Sequence, residues 1–150
     1  MTAYVNIMYR DDRHLKYLKD EISTWSGVSV HPHRFGGTEF RFGNAEVGHL
    51  HDNGTLDIPF PRALRDELLA QGLAEEHQWV PDSGWSTFRV RSEKEGSQAT
   101  WLMRLSYLRY ALKKAADPSQ MLALEGAKLQ LNPRLQRLLE QLLPRASISQ

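Results

Sequence analysis

Residues 38–51 read Thr-Glu-Phe-Arg-Phe, then Gly-Asn, then Ala-Glu-Val-Gly-His-Leu-His. Two stretches of alternating apolar and polar residues meet at Gly43-Asn44, and a two-residue loop of this kind needs the positive φ that glycine supplies, so a β-hairpin is required here. Strict alternation on either side predicts a register in which Phe42 faces Ala45, Arg41 faces Glu46 and Phe40 faces Val47. In that register Phe40, Phe42 and Val47 share the core side with His49 and His51. Glu39, Arg41 and Glu46 share the other side.

The remaining elements are read around this hairpin. Asp11 and Asp12 precede a stripe of Leu15, Leu18, Ile22 and Trp25, which predicts an amphipathic helix over 11–25, closed by Gly27. Thr2–Tyr9 is a strand or an arm, and Val28–His33 a strand whose Pro32 confines it to an edge or an end. After the Asp52-Asn53-Gly54 turn, Thr55–Ile58 forms a short strand stopped by Pro59-Phe60-Pro61. A helix over 61–71 then buries Leu64 and Leu68 before Gly72. Glu76–Val80 is a candidate strand, Pro81-Asp82-Ser83-Gly84 a turn, and Trp85–Arg91 a strand with Phe88 and Val90 on one side and Trp85, Thr87, Arg89 and Arg91 on the other. Trp101, Leu105, Leu108 and Leu112 set a long helix over about 97–115. Asp117-Pro118 and Asn132-Pro133 each place a capping residue before a proline, so two further helices follow, the second with Leu135, Leu138, Leu139 and Leu142. Hairpins dominate and no βαβ alternation appears. The expected fold is α+β, a mainly antiparallel sheet with helices packed on one face, in residues 1–116, with a C-terminal helical extension over 117–150.

Composition narrows the function classes. With 150 residues, 41 % hydrophobic and 25 % charged, the chain is an ordinary globular length and mixture. The absence of cysteine excludes disulfides, iron–sulfur clusters, thiolate zinc sites and cysteine nucleophiles. No apolar run is long enough to span a bilayer and the N-terminus lacks signal-peptide organisation, so no membrane association and a cytoplasmic location are expected. Nucleic acid is not an expected partner: the net charge is +1, and only Arg62 with Arg65, Lys113-Lys114 and a mildly basic tail favour it. The leucine stripe of the tail is a packing surface, for its own domain, for a second copy or for another protein.

Three groups of residues carry candidate chemistry. His49-Leu50-His51 puts two imidazoles on one strand face, a spacing that suits metal chelation or acid–base work. The pattern opens like a cupin metal motif, but Thr55 and Leu56 stand where a glutamate is needed and His77 is only a vague further ligand. The histidines therefore read as hydrogen-bonded residues near the sheet's end, and neither metal nor cofactor is expected. His31-Pro32-His33 is a weaker form of the same pattern. The catalytic candidates are His49, His51 and Asp57, the last either a general base or an acceptor for turn amides. Glu39, Glu46, Trp85 and Arg89 are the ligand-binding candidates, because a planar guanidinium fork and a stacking indole among carboxylates suit a planar acidic or hydroxylated molecule. Ser83 lacks a nucleophile elbow and reads as a turn cap. Arg34-Phe35-Gly36-Gly37 lacks the context of a phosphate loop and reads as a bulge or close approach.

The blocks Arg34-Phe35-Gly36-Gly37-Thr38-Glu39-Phe40, Glu46-Val47-Gly48-His49-Leu50-His51, Asp57-Ile58-Pro59-Phe60-Pro61, Arg65-Asp66 and Pro81-Asp82-Ser83-Gly84-Trp85 together resemble the luciferase-like domain family, small proteins related to the fungal luciferases. The resemblance covers roughly residues 30–110. It implies an α+β domain, a pocket like the one in which fungal luciferases oxidise a hydroxylated pyrone with molecular oxygen, and at most an oxygenase-like activity without a cofactor. It favours the pocket reading of Glu39, Glu46, Trp85 and Arg89, which fall in matching blocks. The expected function is binding of a small phenolic or pyrone-like ligand near the sheet. The competing expectation is a non-catalytic module that holds a protein partner or a second copy through its C-terminal helices.

Overall fold

The computed structural model describes residues 12–144, so the strand or arm expected at Thr2–Tyr9 lies outside the described residues. Helix α1 (Arg13–Ser23) buries Leu15, Leu18 and Ile22, the expected stripe, and the chain turns at Gly27. Strands β1 (Val28–Pro32), β2 (Thr38–Phe42), β3 (Ala45–Leu50) and β4 (Thr55–Pro59) follow. Helix α2 (Arg62–Ala70) is followed by β5 (Glu75–Glu76) and β6 (Trp85–Arg89), and then by α3 (Gly96–Lys114), α4 (Pro118–Leu129) and α5 (Pro133–Glu140). The strands form one sheet in the order β1-β2-β3-β4-β6-β5, with every pairing antiparallel. The fold is α+β, as expected.

Gly43 has φ 61°, the positive value demanded by the tight turn, and Phe42 pairs with Ala45 and Arg41 with Glu46. Beyond Arg41 the predicted register fails. Phe40 pairs with Gly48 and Glu39 with His49, leaving Val47 as the extra residue of a β-bulge. A bulge inserts one residue and so reverses the alternation downstream of it. His49 consequently stands beside Glu39, on the face opposite to Phe40. This corrects the side assigned to His49 and His51.

Helix α3 packs on the Phe40 face. A Cβ on Gly48 would lie 2.7 Å from Met103 Sδ and 3.1 Å from the Asp57 carbonyl, so a side chain here would push Met103 aside and crowd the β4 backbone, and glycine lets helix and sheet approach closely. Ser106 Oγ lies 2.7 Å from the Val47 carbonyl and 3.1 Å from that of Pro59, and the Tyr110 hydroxyl donates to the Glu46 carbonyl at 3.2 Å. Two side chains of α3 thus satisfy the carbonyls that the bulge withdraws from the ladder.

The tail helices begin as the capping residues foretell. Asp117 accepts from the Gln120 amide and Asn132 from the Leu135 amide, each at 3.1 Å. Both helices pack on the rest of the chain: Leu122, Leu135 and Leu139 are buried in the same core as Phe40, and α5 contacts α2. The strand expected at Glu76–Val80 is shortened to Glu75–Glu76, because the Trp79 and Val80 amides turn back onto His77 Nδ1 at 3.1 and 3.4 Å. Arg34–Gly37 lies in the β1–β2 loop, closed by bonds from His33 N to Gly37 O and from Gly36 N to His33 O. Among the described residues, no helix is long and apolar enough to cross a membrane.

Candidate functional site

One row of cross-strand neighbours runs over the sheet face turned away from α3: His31, Glu39, His49, Asp57, Thr87 and Glu75. A fully apolar face would have needed a second helical layer, whereas these polar residues are covered by loops and by one another. His49 is 8 % exposed, Asp57 5 % and Thr87 7 %. His33, just past β1, stacks on His49 with ring centroids 4.0 Å apart and planes 18° from parallel, and Trp85 closes the other side at 5.5 Å.

Asp57 is the centre of the arrangement. Its Oδ1 accepts from Thr87 Oγ1 at 2.8 Å, while its Oδ2 lies 2.8 Å from His51 Nε2, 3.2 Å from His49 Nε2 and 3.6 Å from His77 Nε2. Burial alone would raise its pKa, but the hydrogen bonds from His49, Thr87 and His51 outweigh it and hold the carboxyl well below the usual carboxylate range. His49 is gripped at both ring nitrogens, with Nδ1 2.7 Å from Glu46 Oε2 and Nε2 facing Asp57. Burial works to lower its pKa, yet the two carboxylates prevail and raise it to about 9. His33 is shifted the other way, first by burial and then by the neighbouring charge of His49. A neutral ring therefore stacks on an imidazolium.

A cavity of about 250 Å³ opens over this row, lined by His51, Asp57, His77, Trp79, Thr87 and Arg89 among others. Its wall is anchored by Arg65, a buried residue of α2 that donates to the Pro81 carbonyl, to the Trp85 carbonyl at 3.4 Å and to Glu76 at 3.3 Å. Arg62 pairs with Asp82. Neither arginine is thus a free phosphate-binding cation. Ser83 caps its turn as expected, donating to the Val80 carbonyl at 2.6 Å and accepting from the Trp85 amide at 3.1 Å.

The sequence candidates distribute over two connected regions. His49, His51 and Asp57 meet at Asp57 Oδ2, and Glu46 and Trp85 flank His49. Glu39 is committed to Arg41 and faces His33 at 3.9 Å; burial would raise its pKa but the Arg41 hydrogen bond holds it low. Arg89 stands at the far wall of the cavity, 3.9 Å from Glu75. His33 and His77 each enter the cluster through a loop closure, which strand periodicity does not encode. A cue to the bulge was present: Gly48 interrupts the strand, and Leu50 between two histidines reads as the core residue of a shifted phase.

The fold and site define a small α+β protein with a histidine–carboxylate cluster on an open sheet face. The Luciferase domain family model matches residues 44–106, from the hairpin turn to the middle of α3, so this segment is similar to luciferase domains. The match contains Glu46, His49, His51, Asp57, His77, Trp85 and Arg89, and begins after His33 and Glu39. Neither the curated proteins nor the solved structures provide a match.

Proposed function

We propose that the protein binds a small, planar, hydroxylated organic molecule of the phenolic or pyrone-like class in the cavity over Asp57. The observation that carries this reading is the combination in one 250 Å³ space of an ionised carboxylate, two accessible imidazoles, an indole and a guanidinium. That volume suits a single substituted ring, being just below the roughly 300–1,000 Å³ common for ligand pockets. A ligand hydroxyl would donate to Asp57 or His51, its ring would lie against Trp79, and an acidic substituent would meet Arg89. The kinship of residues 44–106 with luciferase domains favours this ligand class.

The competing reading, a docking module built from the C-terminal helices, has less support. Leu122, Leu135 and Leu139 already lie in the core, and Leu124 is the large apolar residue those helices leave exposed. A thermal-shift screen with hydroxylated pyrones and phenolics tests the proposal. At least one compound should raise the melting temperature, and Arg89→Ala or Trp79→Ala should reduce the shift. A screen without hits, or hits indifferent to both substitutions, would overturn it.

A further inference from the structure

We propose that His49, His51 and Asp57 are the three protein ligands of a mononuclear site for a divalent first-row transition-metal ion, with its remaining coordination positions open to the cavity. This inference goes beyond the organic-ligand reading and shares His51 and Asp57 with it, while Trp79 and Arg89 remain the groups that test that reading alone. His49 Nε2 and His51 Nε2 lie 3.2 and 2.8 Å from Asp57 Oδ2, and the donor atoms of all three residues are within 4.8 Å of one another. Adjacent ligand atoms around a metal with bonds of about 2.1 Å and right-angled geometry are about 3.0 Å apart, so the two spacings to Asp57 Oδ2 already match a coordination shell. The ion would replace the protons that both imidazoles direct at Asp57.

The surrounding contacts fit the same assignment. A ligating histidine ordinarily donates its second ring N–H to a carboxylate, and His49 Nδ1 faces Glu46 Oε2 at 2.7 Å. Ligating carboxylates are themselves held by hydrogen bonds, and Thr87 occupies Asp57 Oδ1 and leaves Oδ2 for the ion. His49 and Asp57 are directly paired residues of β3 and β4, which gives the two ligands a rigid base. The 250 Å³ cavity lined by His51 and Asp57 leaves room for water or substrate opposite the protein ligands. Two imidazoles and one carboxylate with open positions are the ligand set of non-haem iron(II) sites, and also suit catalytic zinc.

The nearby histidines are excluded by their own hydrogen bonds. His77 Nδ1 accepts from the Trp79 and Val80 amides, so its proton resides on Nε2, which faces Asp57 as a donor. His33 Nδ1 accepts from the Phe35 amide at 3.4 Å and is excluded likewise. The alternative cluster of His33, Glu46 and His49 is thereby left with two donors. The sequence expectation of no metal rested on the broken cupin pattern and the absence of cysteine, whereas the carboxylate ligand proposed here is Asp57, the cross-strand partner of His49 on β4.

Zinc binding to the full, tag-free chain after chelator treatment provides the test, read by equilibrium dialysis with elemental analysis. One zinc per chain is expected. His51→Gln and Asp57→Asn should each weaken binding at least tenfold, while Glu46→Gln should weaken it about 10–100-fold at unchanged stoichiometry. His77→Gln should stay within a few-fold of the parent. Circular dichroism reports the fold of each variant, and the half-buried His51 supplies the decisive one should Asp57→Asn unfold. Failure of the parent chain to retain zinc at micromolar concentration, or zinc retained equally by His51→Gln, would overturn the proposal.

Discussion

His49 is held between Glu46 and Asp57, and this has a consequence for stability in metal-free protein. Its pKa rises from 6.5 to about 9 on folding, so the folded state binds the proton more tightly than the unfolded chain. The resulting stabilisation is complete below about 6.5 and disappears as the pH climbs through 9. Asp57 and His33 are lowered, so their contributions are lost in acid, as the pH falls toward and below their unfolded values. With chelator present, urea unfolding should show a loss of about 1–2 kcal/mol between pH 6.5 and 9, a figure discounted for solvent screening. His49→Gln should flatten this decline; an unchanged slope would disprove the assignment. A second pair of residues tests which sheet face is core. Phe40 is fully buried against α3, so Phe40→Ala should cost about 3–5 kcal/mol. Trp85 is half-buried beside His49, and Trp85→Ala should cost roughly 1–2 kcal/mol while reducing any ligand-induced thermal shift more than Phe40→Ala does. Urea melts giving the reverse order of stabilities would contradict this face assignment.

At the scale of the element, the bulge at Val47 decides which residues can cooperate. Without the extra residue, His49 would project into the Met103 side of the sheet and Asp57 would lose its cross-strand partner. The bulge depends on α3, since Ser106 Oγ reaches the Val47 carbonyl within a fully buried setting. Ser106→Ala leaves that carbonyl without its hydroxyl partner and should destabilise the fold by about 1–3 kcal/mol. Zinc affinity should fall with it, because His49 would be less firmly placed. A Ser106→Ala chain with an unchanged melting temperature would show that another donor serves the bulge.

For the whole molecule, the C-terminal helices are bound into the core of the chain. Read as sequence, residues 117–150 follow a proline-marked break and lie beyond the resemblance, so truncation after Ala116 is expected to leave a folded domain. In the structure, Trp101 Nε1 donates to the Leu129 carbonyl at 3.0 Å, and Glu125 pairs with Arg104, whose guanidinium lies 5.0 Å from the Trp25 ring and 4.6 Å from that of Tyr107. Burial of a leucine contributes about 1.5–3 kcal/mol, and truncation removes Leu122, Leu135 and Leu139 from a core whose total margin is roughly 5–15 kcal/mol. The truncated chain should therefore melt far below the full one, or lose its cooperative transition. Equal melting by circular dichroism would restore the reading of an appendage.

Local chemistry in the chain was enough to set several elements. Gly43 dictated the hairpin turn, the Leu15, Leu18 and Ile22 stripe dictated α1, and Asp117 and Asn132 began the last two helices, because turn dihedrals, caps and helical periodicity act over a few neighbouring residues. His49, His51 and Asp57 were recognisable as chemically suggestive for the same reason. Their convergence was not, since it depends on one unpaired residue in β3, and that residue is chosen by how Met103 and Ser106 of α3 meet the sheet. His33 and His77 join the cluster through loops whose closure is governed by the Gly36-Gly37 turn and by Arg65 reaching across from α2. Such contacts join residues far apart in the chain, and only the packed tertiary structure decides them.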